Sequence, residues 1–462
     1  MKTCDIAVYG LGVMGSSLAK NIMSHGFAVA AYSKSPEERA RFQRDTGADT
    51  VCTTVDEMLE GLQSPRCIFL MITAGRPVDM VLEELCPRLR PGDVILDGGN
   101  SFYRDTGRRY EECRKQGICY VGIGVSGGEK GALYGPSMMA GGSLEGWKQT
   151  RHILQTISAH ADGKPCCDYI AAGGGGHYVK MVHNGIEYAI LQLIAEIWYF
   201  MSSTLEMSGE EILSCFQSWK KGGLDSYLME ISIQVLQKKD KDGSLLVDKI
   251  LDVAEQKGTG KWTMQDSLER GVYIPTIYEA LSARNFSGKK RLRMQGSEQL
   301  QATVQKVFVE NPEETLGNAL LLGMILSYSQ GFELIAKASA EENWAIDFGR
   351  LIDVWSNGCI IRSRLLAKIR QTGILISADE PLLLEQGFSW LKELEPALRE
   401  TVGKSVLSGT PLPALAGALG YYDYYRMKQM PVNFIQALRD CFGAHTYQRT
   451  DREGHFHTNW EE

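Results

Sequence analysis

The stretch between His177 and Glu196 carries several side chains that could perform acid–base chemistry from one surface. It reads HYVKMVHNGIEYAILQLIAE, and its spacing of apolar residues, without proline, predicts a helix. The polar positions recur at i, i+3, i+4, i+7 and i+8, which places five reactive groups on one helical face: Lys180, His183, Asn184, Glu187 and Tyr188. A solvated face is the simpler alternative, but such faces are usually rich in lysine, arginine and glutamate. We therefore interpret this stripe as a catalytic or binding face.

The composition narrows the class of protein that presents this helix. The chain has 462 residues, 44% of them hydrophobic, which is typical of a globular protein with two or three domains. A net charge of −7 gives no support for a nucleic-acid partner, and no apolar run reaches the ~18–20 residues of a membrane span. The 11 cysteines are scattered without a C-x-x-C pair, which favours reduced thiols. We expect a cytoplasmic protein without a nucleic-acid or membrane partner.

A dinucleotide-binding fingerprint lies near the N-terminus. The apolar run Cys4–Tyr9 is followed by a G-x-G-x-x-G motif and then by a predicted helix over Ser16–His25. In this context the glycines make a tight turn and let a pyrophosphate approach the backbone N–H groups at the helix N-terminus. The predicted cofactor-binding residues of this loop are Gly10, Leu11, Gly12, Val13, Met14 and Gly15.

The end of the second predicted strand, Phe27–Tyr32, should select between NAD and NADP. NAD enzymes usually place an acid there to hold the ribose 2′-hydroxyl group, whereas this strand ends in Ser33-Lys34-Ser35, with no acid. A cation flanked by hydroxyl groups suits a 2′-phosphate, so NADP is favoured and NAD is the alternative. Lys34 could equally be a solvated turn residue.

Polar and glycine-rich turns follow three later strands. The strands Cys67–Ile72, Val94–Leu96 and Tyr120–Val125 alternate with helical segments, which predicts a doubly wound parallel α/β sheet of the Rossmann type. Ligands bind at the carboxyl ends of the strands in such sheets. The residues expected there are Thr73, Asn100, Ser126, Gly127 and Gly128.

The chain becomes predominantly helical after Gly176. The predicted organisation is a dinucleotide-binding domain, a large all-helical substrate and dimerisation domain, and a C-terminal tail, over residues 1–176, 177–435 and 436–462. The expected helical segments include Asp248–Glu255, Thr315–Lys337, Gly349–Arg370 and Glu380–Thr401.

The tail is rich in aromatic and histidine residues, so we expect it to dock rather than to remain free, and a partner subunit could be the docking surface. His455 and His457 have the spacing of metal ligands on a strand, but no third ligand lies near them in the sequence. We therefore predict no metal site.

Six stretches spread over nearly the whole chain resemble the decarboxylating 6-phosphogluconate dehydrogenase family. The most specific are HNGIEY, within Gly176–Gln192, and QKGTGKWT at Gln256–Thr263, because neither follows from the fold alone. The others are Gly10–Gly15, Asp97–Ser101 (DGGNS), Val125–Gly142, and the C-terminal RDCFGAHTY with HTNW. The resemblance implies oxidative decarboxylation of 6-phospho-D-gluconate to D-ribulose 5-phosphate and CO₂ with reduction of NADP, in the pentose phosphate pathway or in gluconate use.

The resemblance also implies roles for individual residues. Lys180 would be the general base that takes the proton of the C3 hydroxyl group, and Glu187 the acid that protonates C1 after CO₂ has left. Contacts along the sugar acid would come from Asn100, which would also lie near the nicotinamide, and from Ser126, Gly127, Gly128, His183, Asn184 and His445. The phosphate pocket would consist of Tyr188, Lys257, Thr259, Arg284 and Arg439. In this family Arg439 and His445 reach into the other subunit's site, which implies an obligate homodimer.

Elementary chemistry agrees with the two catalytic roles. A lysine is a base only when neutral, so the pKa of Lys180 must be lowered by burial or by a nearby cation. Once protonated, it can polarise the new C3 ketone, which takes up the electrons as CO₂ departs, so the reaction needs no metal. Glu187 must be protonated at the later step, so the environment has to push the two pKa values apart.

The departures from the family pattern lie mainly at the cofactor end. Ser33-Lys34-Ser35 stands where Asn-Arg-Thr is usual, and Thr73 stands where a lysine is common. Loss of the planar, bidentate arginine should weaken recognition of a 2′-phosphate, which puts the preference for NADP over NAD in doubt.

Two other functions were weighed against this one. A related β-hydroxyacid dehydrogenase acting on another acid should lack the phosphate set, which the chain retains. A catalytically silent NADP-binding protein should have lost Lys180, Asn184 or Glu187, and all three are present.

Overall fold

The computed structural model of the chain describes residues 3–255, 258–300, 304–372, 377 and 380–461. Its N-terminal part alternates strands and helices, as the sequence predicted. In chain order these are β1 (Ile6–Tyr9), α1 (Val13–Ser24), β2 (Val29–Tyr32), α2 (Pro36–Thr46), α3 (Val55–Glu60), β3 (Cys67–Leu70), α4 (Arg76–Leu85), β4 (Val94–Asp97), α5 (Tyr103–Lys115), β5 (Cys119–Ser126), α6 (Gly128–Tyr134), β6 (Ser137–Gly142), α7 (Leu144–Ile157), β7 (His160–Ala161), β8 (Lys164–Pro165) and β9 (Cys167–Ala171).

The strands form one main sheet with the order β2-β1-β3-β4-β5-β6-β9, while β7 and β8 make a separate hairpin. From β2 to β5 the neighbours are parallel, and in this register Ala7 lies opposite both Ala30 and Ile68. The strands β1 to β4 are buried throughout, which explains why they read as continuous apolar runs rather than alternating ones. The carboxyl ends of the parallel strands therefore meet along one edge, where the predicted ligand-binding turns lie.

The sheet continues beyond the predicted strands, and its far side is mixed. β6 runs antiparallel to β5, and β9 then pairs in parallel with β6. Only the residues from Gly127 to Pro136 separate β5 from β6. A parallel crossover needs a dozen or more residues, so a link this short returns the chain in the opposite direction.

The rest of the chain is helical. The helices are α8 (Gly175–Tyr199), α9 (Gly209–Lys221), α10 (Tyr227–Gln237), α11 (Thr259–Arg270), α12 (Pro275–Ser287), α13 (Lys290–Gln299), α14 (Pro312–Glu341), α15 (Phe348–Trp355), α16 (Arg364–Gln371), α17 (Glu395–Ser408), α18 (Pro413–Arg426) and α19 (Val432–Gly443). Short 3₁₀ segments occupy Cys86–Arg88, Leu246–Lys249, Leu382–Leu384 and Gln386–Glu393, and a π turn at Phe200–Thr204 extends α8.

The long helices α8 and α14 lie at the centre of the helical part. Their side chains share one hydrophobic core, with Leu193 packing against Gly323 and Ile186 against Gly331. By length and composition α14 is apolar enough to cross a membrane, but 89% of its most apolar window is buried inside the protein. The helix predicted over Thr315–Lys337 is thus confirmed as a core helix.

Three other helix predictions need correction. In Asp248–Glu255, a 3₁₀ turn ends at Lys249 and the remaining residues are irregular and exposed. A short helix without a buried face is not stable on its own. Gly349–Arg370 is broken between α15 and α16, where Gly358 adopts a left-handed conformation with φ of +69°. Glu380–Thr401 becomes regular α-helix only at Glu395, since Pro396 is tolerated in the first turn of α17 but not inside a helix.

Candidate active site

The helix α8 begins directly against the sheet. A Cβ atom on Gly176 would lie 2.6 Å from both the Gly141 N and the Met139 O atoms and 2.7 Å from the Gly122 O atom, all of them backbone atoms. Only glycine permits this approach. The GGGG sequence therefore brings the first turns of α8 onto β5 and β6 and places Lys180 and His183 beside the end of β5.

The amine and the imidazole of the predicted stripe are both buried. The Lys180 Nζ atom lies 3.4 Å from the His183 Nδ1 atom, and the His183 Nε2 atom lies 3.4 Å from the Ser126 hydroxyl group at the end of β5. The His183 Nδ1 atom is also 3.9 Å from a carboxylate oxygen of Glu187, one turn further along α8. Three of the predicted site residues from the helix and one from the strand are thus in one cluster.

The environment pushes the pKa values of the two predicted catalytic groups in opposite directions from their ordinary values. Burial lowers the pKa of Lys180, and the nearby Glu187 carboxylate opposes this shift only in part. Burial raises the pKa of Glu187, while Lys180 and Arg284 oppose that shift. Burial and the neighbouring lysine hold the pKa of His183 well below its usual range, so the ring is neutral. The cluster therefore favours a neutral amine and a protonated carboxyl group.

The next turns of α8 contact the start of α11 and the end of α12. The Asn184 side-chain amide donates a hydrogen bond to the Thr259 hydroxyl group at 3.2 Å. The Arg284 guanidinium lies 3.7 Å above the centre of the Tyr188 ring, a cation–π contact that fixes its direction. The predicted phosphate ligand Lys257 lies outside the described residues. Tyr188, Thr259 and Arg284 are therefore brought together around the distal end of the stripe.

A crevice of about 420 Å³ opens at the carboxyl ends of β1, β2 and β3. At its floor Gly10 has φ of +104°, and a Cβ atom there would lie 2.4 Å from the Met71 carbonyl oxygen. No side chain of the described residues caps the first turn of α1, so its N–H groups are available to an anion. The lining includes Gly10, Gly12, Ser33, Lys34, Ile72, Thr73, Pro77 and Met80. These features suit the pyrophosphate and adenosine of a dinucleotide.

An acid from α2 lies at the end of β2, where the sequence predicted none. The Ser33 hydroxyl group donates a 2.6 Å hydrogen bond to a carboxylate oxygen of Glu38, and the Ser35 hydroxyl group caps α2 by accepting from the Glu38 backbone N–H. Lys34, expected as a cation for a 2′-phosphate or as a solvated turn residue, lies 3.4 Å from a carboxylate oxygen of Glu84 on α4. The S-x-x-E pattern of a helix cap at Ser35 was the available signal that Glu38 turns back towards the strand end.

The remaining strand-end residues lie along the same edge. Asn100 is exposed in the turn after β4. The buried Asp97 carboxylate stabilises this turn by accepting hydrogen bonds from the Gly99 N–H and the Ser101 hydroxyl group. Gly127 has φ of +121° and packs against the carbonyl group of Gly358. Gly128 follows it as the first residue of α6.

The sequence analysis also missed Trp355, because nothing in its local pattern indicates a site. Its ring is fully buried and meets the His183 ring edge-on, with the ring centres 5.5 Å apart. Trp355 therefore packs against the imidazole of His183, through a contact between α15 and α8 that the local sequence does not reveal.

The predicted tail residues stand apart from this cluster. Arg439 is exposed on α19 and donates to Gln436 of the same helix at 3.0 Å, and His445 is exposed after the helix end. In the part of the chain that the structure describes, neither contacts the cluster around Lys180. The tail is folded around Asp440, whose carboxylate accepts from Trp460 and from the backbone of Thr446.

Comparisons with known proteins agree along the whole chain. Residues 5–171 match the family described as NAD binding domain of 6-phosphogluconate dehydrogenase, and residues 176–460 match its C-terminal domain. Full-length relatives include the NADP(+)-dependent, decarboxylating 6-phosphogluconate dehydrogenase of Bacillus subtilis, 44% identical over 100% of both chains, and the decarboxylating enzyme of Klebsiella pneumoniae, also 44% identical.

The same agreement holds for the fold. The solved 6-phosphogluconate dehydrogenase of Plasmodium falciparum, studied in its apo form and with NADP+ or 6-phosphogluconate, is 39% identical and superposes with a TM-score of 0.93 over 99% of this chain and 100% of its own. The chain belongs to the 6-phosphogluconate dehydrogenase family.

Proposed function

We propose that the chain catalyses the NADP-linked oxidative decarboxylation of 6-phospho-D-gluconate, with Lys180 as general base and Glu187 as general acid. The observation that carries the proposal is the buried cluster of Lys180, His183 and Glu187 beside Ser126, with the pKa of the lysine lowered and that of the glutamic acid raised. The full-length relatives are decarboxylating dehydrogenases.

The first step needs a neutral amine. Lys180 takes the proton of the substrate's C3 hydroxyl group, while NADP, when bound, accepts the hydride from C3. The resulting lysine cation lies 3.4 Å from His183 and can donate to the new C3 ketone. This ketone is β to the carboxylate, so the electron pair of the C1–C2 bond moves into the ketone as CO₂ leaves.

The second step needs a proton on the carbon that was C2 of the substrate and becomes C1 of the product. Glu187 supplies it, because its raised pKa keeps a proton available on the same face of α8. Asn184 and His183 lie between the two groups along the helix and can hold the substrate hydroxyl groups. Lys180, neutral after it has given its proton to the ketone oxygen, accepts the proton of the enediol hydroxyl group as C1 is protonated. Transfer of that proton from Lys180 to Glu187 restores both groups.

Arg284 and Tyr188 support a phosphate-binding role for the far end of the stripe. The stacked guanidinium is a rigid cation, and a guanidinium binds a phosphate more specifically than an ammonium group does. We assign Lys257, Thr259 and Arg439 to the same pocket, so that the substrate lies along α8 with its C1 end near Lys180 and Glu187.

We further propose that the chain works as a cytoplasmic homodimer in which the tail of one subunit, residues 436–462, completes the other subunit's site. Among the described residues of α19, only Asp440 is buried, and the side chains of Phe434 and Phe442 are 67% and 75% exposed. A helix with this apolar surface needs a partner. We propose that the dinucleotide-binding domain ends at Gly176, in the first turn of α8, and that the helical domain begins at His177.

The test is a coupled measurement with the purified full-length protein. NADP⁺ reduction by 6-phosphogluconate should proceed with one CO₂ released for each cofactor reduced. A Lys180→Ala variant should lose about 10²–10⁴-fold in kcat, the usual contribution of a general base. Reduction without CO₂ would contradict the role of Glu187, and full turnover by the Lys180 variant would contradict the role of the base.

A further inference from the structure

We infer that Glu38 sets how strongly the cofactor crevice discriminates between NADP⁺ and NAD⁺, by favouring a ribose 2′-hydroxyl group and opposing a 2′-phosphate. The inference rests on the proposed use of the crevice for the adenosine half of the cofactor. It adds a specificity-determining residue from α2 to the residues predicted at the end of β2.

The position of Glu38 is fixed by the turn that joins β2 to α2. One carboxylate oxygen accepts the 2.6 Å hydrogen bond of Ser33, and the other points towards the G-x-G loop, 3.7 Å from where a Cβ atom on Gly12 would lie. The Ser35 cap holds the first turn of α2 in this orientation. The carboxylate thus lies between the strand end and the glycine loop, where NAD enzymes of this fold keep the acid that binds the ribose.

The cation beside this carboxylate is already engaged. The Lys34 ammonium group lies 3.4 Å from Glu84, which also accepts from the Tyr9 hydroxyl group. A 2′-phosphate would therefore have to compete with Glu84 for the lysine. Lys34 is 57% exposed, so water and salt weaken its attraction further.

The two arginines near the turn are bound to backbone carbonyl groups. Arg39 donates to the Ser33 carbonyl oxygen at 2.5 Å and lies over the Tyr32 ring, and Arg41 donates to the Leu11 carbonyl oxygen at 3.1 Å. The cations around this turn are matched by as many carboxylates, the members being Lys34, Arg39, Arg41, Glu37, Glu38 and Glu84.

This balance of charge affects the binding of the two cofactors differently. A ribose hydroxyl group can donate a hydrogen bond to the Glu38 carboxylate, whereas a phosphate dianion offers only acceptors and adds charge of the same sign. An ideal 2′-phosphate site has an excess of cations. Glu38 therefore reduces the affinity for NADP⁺ and supports the affinity for NAD⁺.

The experiment measures dissociation constants of both oxidised cofactors by titration calorimetry, with full-length protein and without substrate. In wild type, we expect the NAD⁺ constant to lie within about tenfold of the NADP⁺ constant, and Glu38→Gln to shift their ratio towards NADP⁺ by about tenfold, as removal of one like charge implies. Glutamine keeps the acceptor for Ser33, so the turn should remain intact. Glu38→Ala, which removes the acceptor as well, should additionally weaken NAD⁺.

Glu37→Gln is the matched control, because it removes the same charge from the neighbouring position of α2, where the side chain is exposed and binds Ser35. This variant should change the ratio by less than about twofold, since solvent screens an exposed charge. An equal effect of both substitutions, or no effect of Glu38→Gln and Glu38→Ala, would overturn the inference. Failure of every variant to bind either cofactor would instead overturn the assignment of the crevice, and the inference with it.

Discussion

At the scale of single residues, burial rather than residue type decides what the α8 stripe can do. Lys180 is an ordinary lysine in sequence, yet at 7% exposure its charged form is disfavoured, and the same holds for the charge on Glu187. Water would normally stabilise both charges, and burial removes much of it. The opposite protonation needs of the two proposed steps thus have one common physical origin.

The dependence of activity on pH should report these two groups. Because the base must be neutral and the acid must be protonated, kcat/KM should decrease at both low and high pH. Burial moves the pKa of Lys180 below its usual 10.5 and that of Glu187 above its usual 4.5, and both shifts increase the fraction of enzyme in the active protonation state. A bell-shaped profile of initial rates is expected.

The Glu187→Gln variant tests which group causes the decrease in rate at high pH. The amide cannot titrate, so the fall of the rate on the alkaline side should disappear, together with a loss of about 10²–10⁴-fold in kcat if the acid step is compromised. Binding of NADP⁺, measured separately, should be unchanged. An alkaline limb that persists in this variant would contradict the assignment.

At the scale of elements, the packing of α8 against the sheet positions the side chains of the candidate site. The first turns of the helix lie against backbone atoms of β5 and β6, so the helix has little freedom to shift or rotate. The second half of α8 is anchored by Glu196, whose buried carboxylate accepts from the backbone N–H groups of Ala414 and Leu415 at the start of α18.

Gly176→Ala should disturb both stability and activity. The added methyl group meets backbone atoms at 2.6 Å that cannot move independently, so we expect a loss of about 1–3 kcal/mol of unfolding free energy and a decrease in kcat. Gly403→Ala on α17 is the control, because open space surrounds a Cβ atom there and alanine favours a helix. Denaturant titration compares the two, and equal stability of both variants would contradict the packing argument.

Glu196 should make stability depend on pH. Burial raises the pKa of Glu196 to about 7, against 4.5 for an ordinary carboxyl group, so the folded state binds the proton more tightly than the unfolded state. Its contribution is present below pH 4.5 and is lost as the pH rises through about 7. In Glu196→Gln the unfolding free energy, relative to wild type, should therefore increase over this range, by up to about 3 kcal/mol. The unfolding free energies are measured by urea titration at each of about six pH values. A difference in unfolding free energy between the two proteins that stays constant from pH 4.5 to 8 would contradict this prediction.

At the scale of the whole molecule, the exposed tail is the segment that we propose completes a site. Arg439 and His445 are exposed, and α19 exposes Phe434, Ile435 and Phe442. A symmetric dimer that covers this surface would bring each tail to the other subunit, so that two incomplete sites complete each other.

Mixing two inactive variants tests this exchange. Lys180→Ala and Arg439→Ala homodimers should each be nearly inactive, but a heterodimer has one site with both residues intact. After unfolding and refolding of an equal mixture, random pairing should restore about a quarter of the wild-type activity. If each chain's own tail served its own site, every site in the mixture would be defective and no activity would return.

The sequence by itself determined the features that depend on neighbouring positions. The glycine fingerprint, the strands β1 to β5 and the stripe on α8 follow from local turn chemistry and periodicity, which neighbouring positions specify. The family motifs added the roles proposed for Lys180, Glu187 and the tail, which periodicity alone does not provide.

Only the tertiary structure decided the properties that depend on distant contacts. The reversal of β6 follows from a short link, and the exposure of Asp248–Glu255 from the absence of a core beside it. The contact of Lys34 with Glu84 joins the end of β2 to α4. Burial, dielectric environment and charge pairing are properties of the packed molecule, so a sequence pattern names the groups but does not fix their protonation or their partners.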